Sequence, residues 1–240
     1  MDEIAYENRT CVFIDILGWK EVINTCSIEI IYKLLNPFLN ISSQYQQRKQ
    51  RENARPENES SPYPYEVQLT AFSDSLVMSM PTADLIRIFS NLPKLITAFL
   101  ERGILIRGGI YIGKLYHQDN VIFGPALNKA YQIESEEAIF PRILIADEVI
   151  EDFSHDIPEI KQLPEIMKDH LNNWVINPFP CHSSGDMRAY LNINFSLETV
   201  IDSIDRKIKS QKNSKIRNKW IYQAELCAKS LEKVNFNFLI

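Results

Sequence analysis

Short apolar runs and helically spaced apolar positions alternate along the first part of the chain. Residues 10–16 form a continuous apolar run with a single acid in it, which is typical of a buried central strand. Beyond Gly18, apolar residues recur at helical spacing over residues 22–41 and predict a helix. The segment 44–64 is almost without apolar residues and contains several prolines, so we expect a solvated loop or a frayed helix end there.

The middle of the chain repeats this alternation. Two strand-like runs, residues 65–71 and 75–80, are separated by Ser73 and Asp74 and predict a hairpin with an acid at its turn. A helical pattern follows over residues 83–101. The chain therefore begins with the order strand, helix, strand, strand, helix.

More strands and a helix are expected beyond Gly103, a glycine placed to end the preceding helix. They are a strand pair over 104–112 and 114–117 around Gly113, a helix over 124–137, and a strand over 142–146. The helix would open at Gly124-Pro125, because proline suits the first turn of a helix.

The last third of the chain is less regular. Residues 150–170 are acidic and predict loop and short helix, whereas residues 174–176 and 189–195 are strand-like. Two amphipathic helices are expected over residues 196–209 and 213–233.

The order of these elements predicts an α/β (α+β) fold that starts with a β-α-β-β-α-β pattern. We expect a core over residues 1–148 and a C-terminal extension over residues 149–240, with two helices packed on or beside that core.

Basic residues accumulate towards and along the last predicted helix. They are Lys209, Lys212, Lys215, Arg217, Lys219, Lys229 and Lys233. A charge run on a helix usually forms a solvated face, so we interpret these residues in that way rather than as an anion site.

Composition narrows the class of protein. The 240 residues are 45% apolar and 24% charged, which is ordinary for a soluble globular protein. The 26 basic and 31 acidic residues give a formal net charge of −5, so nucleic acid and an anionic membrane are not expected as partners. No apolar run reaches the roughly eighteen residues that span a bilayer, and the acidic N-terminus is unlike a signal peptide.

The cysteines indicate a reducing compartment. Cys11, Cys26, Cys181 and Cys227 are far apart and form no C-x-x-C pair. Reduced thiols are therefore expected, and with the absence of a leader they predict a cytoplasmic protein.

Two acids occupy positions where the pattern predicts burial. Asp15 lies inside the first strand-like run, and Asp74 lies at the predicted hairpin turn with apolar residues on both sides. A lone buried carboxylate is costly unless it is paired or binds a cation. Two carboxylates with a backbone carbonyl suit a hard divalent ion such as Mg²⁺ or Mn²⁺. The residues alone leave open the alternative of a capping acid at Asp15 and a turn acid at Asp74.

Gly18 adds a feature of phosphate sites. A glycine at a strand-to-helix junction lets the backbone N–H groups of a helix N-terminus approach phosphate oxygens. Divalent metals and backbone donors are the usual parts of phosphoryl chemistry. The glycine and the two acids together therefore predict a triphosphate site.

Four segments, in order, resemble motifs of the class III nucleotidyl cyclases. Residues 13–18 (FIDILG) resemble the family's F-x-D-I-x-G strand end, and residues 72–74 (FSD) fall where the family has its second metal acid. Residues 106–113 (IRGGIYIG) resemble its R-x-G-I-x-x-G strand, and residues 124–135 (GPALNKAYQIES) its G-x-x-V-N-x-A-x-R-x-E-S helix. The resemblance spans residues 10–146.

This resemblance implies a ferredoxin-like core and a head-to-tail homodimer with two active sites between the subunits. Asp15 and Asp74 would hold two divalent cations, Mn²⁺ or Mg²⁺, assisted by the Ile16 carbonyl. The implied reaction is attack of the ribose 3′-hydroxyl of a nucleoside triphosphate on its α-phosphate, with release of pyrophosphate.

The same resemblance assigns substrate contacts. Leu17, Gly18 and Trp19 would receive the phosphates, although for Trp19 itself packing is the preferred interpretation. Asn128, supplied by the other subunit, would orient the ribose and the transition state.

Three positions depart from the family's pattern. The arginine four residues after the asparagine is Gln132 here, so another cation is needed, and Arg107 and Lys129 are the candidates. Arg107 could instead hold a strand acid in place. Thr70 and Ile122 stand where purine-specific members have the lysine and the acid that read the base. Sites built on such hydrogen bonds discriminate strongly, so their loss argues against an adenylate cyclase.

Loss of the purine readers with both metal acids kept resembles the stand-alone pyrimidine cyclases of Pycsar antiphage systems. A last helix that opens with residues 215–220 (KIRNKW) also resembles that branch. The resemblance implies synthesis of cyclic UMP, or as second choice cyclic CMP, as a messenger for a separate effector. A purine cyclase and a catalytically silent, nucleotide-binding sensor domain remain alternatives, the latter because of Gln132.

Overall fold

The computed structural model describes residues 4–33, 67–118, 120–180 and 197–232 of the chain, which form one mixed sheet and its helices. The strands are β1 (Glu7–Leu17), β2 (Gln68–Phe72), β3 (Ser75–Pro81), β4 (Leu105–Gln118), β5 (Val121–Phe123), β6 (Ile143–Ile145), β7 (Ile166–Lys168) and β8 (Trp174–Ile176). The helices are α1 (Trp19–Thr25), α2 (Leu85–Glu101), α3 (Pro125–Gln132), α4 (Asp147–Asp156), α5 (Leu197–Ser210) and α6 (Ser214–Leu231).

The strand order of the sheet is β2-β3-β1-β4-β6-β8-β7, and β5 pairs with the end of β4. β1 is antiparallel to both of its neighbours, whereas β4 and β6 are parallel. The first six elements therefore have the order β-α-β-β-α-β, which confirms the α+β fold class predicted from the sequence.

Alternation along β1 divides the sheet into two faces. Val12, Ile14 and Ile16 point into the main core together with the apolar side of α2. Cys11 and Phe13 point to the opposite side, where they pack with residues of α3, and we call this side the α3 face. Because successive side chains alternate, Asp15 belongs to the α3 face near the end of its strand.

The end of α2 shows why the sequence stops the helix there. Gly103 has a φ of +65°, and its N–H donates to the Leu100 carbonyl at 2.9 Å. The N–H of Ile104 donates to the Phe99 carbonyl at 3.0 Å. These two bonds close the helix C-terminus with glycine in the left-handed position, as predicted.

The prediction of two strands separated at Gly113 is wrong. β4 is one continuous strand, and Gly113 lies opposite Arg9 in an unbroken ladder with β1. The pairing with β1 continues on both sides of the glycine, so the chain has no reason to turn there. The glycine instead lies against α3, where a Cβ would lie 3.7 Å from that of Ala126.

Two other predicted elements differ in detail. The helix after Gly18 is interrupted, because Cys26 is extended before residues 28–33 become helical again. The Ser27 Oγ accepts from the N–H of Ile30 at 3.4 Å and so starts the second segment. The acidic segment 150–170 contains β7, a strand that the sequence analysis missed.

The C-terminal elements continue the same sheet. β8 pairs with β6 through Val175 opposite Leu144, and β7 pairs with β8. Both C-terminal helices are confirmed. The loop predicted over 44–64 and the strand predicted over 189–195 lie outside the described residues. The division of the chain after residue 148 stays a prediction.

Two further findings concern membrane-spanning helices and disulfides. Across 4–33, 67–118, 120–180 and 197–232, no helix is both long and apolar enough to cross a bilayer. In the same ranges Cys11, Cys26 and Cys227 form no disulfide, and Cys181 lies outside them.

The approach of α3 to the sheet gives a first testable prediction. A Cβ on Gly109 would clash with the Ala130 carbonyl and lie 2.8 Å from the Cβ of Ile133, whereas one on Gly113 has only ordinary contacts. We expect Gly109→Ala to lower the free energy of unfolding by about 1–3 kcal/mol through overpacking. Gly113→Ala is the matched control and should change it much less. Urea unfolding measures both, and equal losses would contradict the assigned contact.

Candidate active site

An ion-pair cluster lies on the α3 face at one end of the sheet. Asp15 on β1 is directly opposite Arg107 on β4. The Nε of Arg107 donates to Oδ2 of Asp15 at 3.4 Å and also forms an ion pair with Oε1 of Glu134. Arg107 therefore joins a strand acid to an acid that follows α3, which is the positioning role the sequence left open for it.

Glu134 reaches Arg107 because the end of α3 is unusual. The helix passes into a π-helical turn over Ile133–Glu137, in which the N–H of Ala138 donates to the Ile133 carbonyl at 2.8 Å. Gly109, without a side chain, lets the backbone of α3 lie directly on β4. The side chain of Glu134 is only 3% exposed.

Asp74 lies at the turn between β2 and β3, next to Ser73 with a φ of +55°. Its backbone carbonyl accepts from the N–H of Ile16 at 2.8 Å, which ties the hairpin turn to the end of β1. The carboxylates of Asp74 and Asp15 are close enough to repel one another. The structure thus brings together the two acids that the sequence proposed as metal ligands.

The acids of this cluster are electrostatically crowded. Burial raises the pKa of the Asp15 carboxyl, the charge of Arg107 opposes that rise, and the charge of Asp74 adds to it. Burial likewise raises the pKa of Glu134, against Arg107 and with the repulsion of Asp15 and Asp74. A further cation at this end of the sheet would relieve that repulsion.

The donor chemistry fits a divalent cation that arrives with a phosphorylated substrate. Within the described ranges, no three or more His, Cys, Asp or Glu side chains group closely enough to hold a metal on their own. Mg²⁺ is usually held by one or two carboxylates, with substrate phosphates and water completing its shell. Asp15 and Asp74 meet that requirement, and the role of the Ile16 carbonyl stays a prediction.

The chain turns sharply at the end of β1. Gly18 has a φ of +75°, and its carbonyl accepts from the N–H groups of Glu21 and Val22 at 2.8 and 3.1 Å. A Cβ there would meet nothing within 4 Å, so the space beside the turn is open. Leu17 and Trp19 are partly buried and pack against the main core. Their predicted contact with phosphates stays a prediction.

Asn128 and Gln132 lie on the exposed side of α3. Gln132 donates to Oε2 of Glu136 at 2.9 Å and accepts from Lys129 at 3.5 Å, both within the same helical region. In the described part of one protomer, no hydrogen bond or ion pair joins Asn128 or Gln132 to Asp15. The role of Asn128 in a site shared between two subunits stays a prediction.

Thr70 and Ile122 come together around a histidine that the sequence analysis missed. The Nε2 of His117 is 3.0 Å from Oγ1 of Thr70, and Ile122 is the cross-strand neighbour of His117. The Nδ1 of His117 is 2.8 Å from Oγ of Ser79, which accepts from Nε of Arg9 at 3.1 Å. Burial, and then the charge of Arg9, lower the pKa of His117 to about 4.

Lys219 on α6 is a second site residue that the sequence analysis missed. It is partly buried and interacts electrostatically with Asp15 and Arg107. The solvated-face interpretation is therefore wrong for Lys219, and also for Lys229, which donates to the Asp169 carbonyl at 3.1 Å. Trp220, the residue after Lys219, is buried, so the helix is not solvated all round at this point.

A separate cavity lies on the other side of α3. It has a volume of about 160 Å³, and its lining includes Lys129, Asp147 and Trp174. Pockets for drug-sized ligands measure about 300–1,000 Å³, so this cavity is too small for a nucleotide. Lys129, one of the two candidate replacement cations, belongs to this cavity.

Comparison with known proteins gives distant structural likenesses. No protein-family model and no curated protein matches the chain. A bacterial light-regulated adenylyl cyclase is similar at 14% identity and a TM-score of 0.44, over 73% of this chain and 92% of that one. The guanylate cyclase domain of RhGC from Catenaria anguillulae, in complex with GTP, is similar at 17% and 0.43, over 72% and 98%. An adenylate/guanylate cyclase/hydrolase from Silicibacter pomeroyi is similar at 16% and 0.40, over 71% and 95%.

The buried histidine gives a pH prediction. His117 has a folded pKa of about 4 against an ordinary value of 6.5, so between these values the unfolded chain binds a proton that the folded chain does not. Stability should therefore fall as the pH is lowered from 6.5 to 4, by about 3 kcal/mol in total.

Urea unfolding of the wild type and of His117→Gln at several pH values tests this pH dependence. The variant should lose that part of the pH dependence. The control is His155→Gln, an exposed position on α4, which should keep the wild-type profile. If His117→Gln also keeps the wild-type pH profile of stability, the buried network does not hold a neutral imidazole.

Proposed function

We propose that this protein is a pyrimidine nucleotide cyclase that converts UTP, or as second choice CTP, to the 3′,5′-cyclic monophosphate and pyrophosphate. The observation that carries the proposal is the meeting of Asp15 and Asp74 at one end of the sheet, beside the Gly18 turn. Two carboxylates that lie close enough to repel one another beside an open turn suit a site for metal-bound phosphates.

Asp15, Asp74 and the Ile16 carbonyl would hold two divalent cations, Mn²⁺ or Mg²⁺. When bound, such cations neutralise phosphate charge and make a hydroxyl group easier to deprotonate. Arg107 acts as a positioning residue, because its ion pairs with Asp15 and Glu134 fix the direction of the Asp15 carboxylate.

The reaction forms one bond and breaks one. The ribose 3′-oxygen bonds to the α-phosphorus, the bond from that phosphorus to the β-phosphate oxygen breaks, and the hydroxyl proton leaves to solvent. Gly18, with Leu17 and Trp19 on either side, offers the open turn at which the phosphates would lie. Holding the hydroxyl and the α-phosphate in line is the main catalytic task in such a transfer.

A homodimer completes the site in this proposal. Asn128 is exposed on α3, so a second copy could present it to the ribose of a nucleotide bound at the other protomer's acids. Two aromatic side chains are also exposed, Phe72 beside the hairpin turn at 80% and Tyr131 on α3 at 53%. Head-to-tail association would cover them and create two equivalent sites.

The choice of a pyrimidine rests on the residues around the expected base position. Thr70 and Ile122 supply a hydroxyl and an alkyl group, and His117 behind them is neutral at ordinary pH because burial lowers its pKa to about 4. At these two positions the side chains themselves carry neither an ammonium nor a carboxylate to pair with a purine edge. We place the enzyme in the cytoplasm and its product as a messenger for a separate effector in antiphage defence, following the Pycsar resemblance.

A product assay tests the reaction. Purified protein incubated with Mn²⁺ and each of the four ribonucleoside triphosphates should yield a 3′,5′-cyclic pyrimidine nucleotide, identified by mass spectrometry. Asp15→Asn and Asp74→Asn keep the side-chain shape and should reduce turnover by at least 100-fold, because each removes a metal-binding charge. Asp205→Asn, at an exposed position on α5, is the control and should have wild-type turnover. Near-normal turnover in either site variant would refute the metal assignment.

Mixing two inactive variants tests the shared site. Asp74→Ala and Asn128→Ala homodimers should both be inactive, since each lacks one part of both sites. A heterodimer of the two has one site with both parts intact and should regain up to about half of the wild-type turnover per dimer. Verified heterodimers without any regained activity would show that each protomer holds its own complete site.

A further inference from the structure

Buried polar contacts fix the position of α6. The hydroxyl of Tyr222 donates to Oδ2 of Asp169 at 2.8 Å and accepts from Nη1 of Arg142 at 3.0 Å. Arg142 also forms an ion pair with Asp169, and both side chains are almost fully buried. Two turns further on, Oγ of Ser230 accepts from the N–H of Phe179 at 3.1 Å. The helix is therefore held at several points against the rest of the protein.

The same contacts place the start of α6 at the acidic end of the sheet. The carbonyl of Arg142 accepts from the N–H of Gly108 at 2.9 Å, and Gly108 directly follows Arg107. Lys219 lies three residues before Tyr222, which is about 4.5 Å along the helix axis.

The fixed position of α6 also fixes the position of Lys219. The next side chain, Trp220, is buried in the main core and prevents the helix from rotating. Lys219 lies within electrostatic reach of Asp15 and Arg107, and its ammonium is partly buried. Burial, and then the charge of Arg107, lower its pKa, while Asp15 opposes that change.

Arg107 and Lys129, the two candidate replacement cations, are already engaged. Arg107 is bound to Asp15 and Glu134, and Lys129 lines the small cavity and contacts Gln132. Within the described residues, Lys219 has no ion pair or hydrogen bond at contact distance. Its charge is therefore available for an anion that enters beside Asp15.

We propose that Lys219 binds the triphosphate of the nucleotide, an inference that rests on the proposed cyclase function. It supplies from the C-terminal helix the cation that Gln132 does not supply from α3. The ammonium has three donors for non-bridging phosphate oxygens and retains its charge as pyrophosphate forms. The last helix thereby becomes part of the substrate site.

Calorimetric titration of the full-length protein with inorganic tripolyphosphate, in the presence of Mn²⁺, tests this inference without needing the base or turnover. Lys219→Met keeps the length of the side chain and removes the charge. It should weaken tripolyphosphate binding about 10- to 100-fold, the usual effect of losing a charged hydrogen bond. Lys219→Arg should restore most of the affinity. In steady-state assays, Lys219→Met should raise the KM for the triphosphate by a similar factor.

Arg217→Met is the matched control. It removes one positive charge from the same helix, about 200° around from Lys219, and should bind tripolyphosphate as the wild type does. If Lys219→Met unfolds more easily, Lys219→Arg and Lys219→Gln, compared at a temperature where all are folded, provide the same comparison.

The outcomes separate this inference from the proposed function. An active wild type with unchanged tripolyphosphate affinity in Lys219→Met would overturn the role of Lys219 and leave the cyclase intact. If the wild type makes no cyclic nucleotide but Lys219→Met still weakens tripolyphosphate binding, the cyclase is refuted and the phosphate site is supported. A wild type that does not bind tripolyphosphate would also overturn the inference.

Discussion

The ion pairs of Arg107 with Asp15 and Glu134 determine how the acidic end of the sheet can exist. Each carboxylate alone would resist burial, since burial raises the pKa of both. Their common guanidinium opposes that rise, at a point where β1, β4 and α3 meet. Asp74 then joins the group through the backbone bond between the hairpin turn and Ile16. In the proposed metal site, an incoming cation would find oxygen ligands already oriented by the protein, so little ordering would remain for the binding step.

Backbone packing makes this arrangement possible. α3 can lie on β4 only because Gly109 has no side chain, and the π-helical turn that follows directs Glu134 inwards. On the far side of the same face, Ser79 and His117 form a buried network with Arg9 and Thr70. The imidazole in this network is neutral at ordinary pH, because burial and the charge of Arg9 lower its pKa to about 4.

Much of the fold could be predicted from the sequence because local patterns determine it. The apolar run around Asp15, the hairpin at Ser73 and the glycine that ends α2 all produced correct elements. The strand break predicted at Gly113 failed because a glycine needed for helix packing resembles one needed for a turn. Glu134 and Lys219 were missed as site residues because their roles come from contacts between segments far apart in sequence. Nothing in a solvated-looking basic helix shows that one lysine faces a carboxylate.

The buried contact between Arg142 and Tyr222 joins residues 80 positions apart in the chain. During synthesis, the guanidinium of Arg142 is made long before the hydroxyl that helps to satisfy it. At about 5–20 residues per second, the delay is roughly 4–16 s. Until α6 is made, burial of Arg142 lacks one of its hydrogen bonds, and the start of β6 has a reason to stay hydrated. The nascent chain thus has a built-in order of assembly, in which this contact beside β6 forms only after α6 has been made.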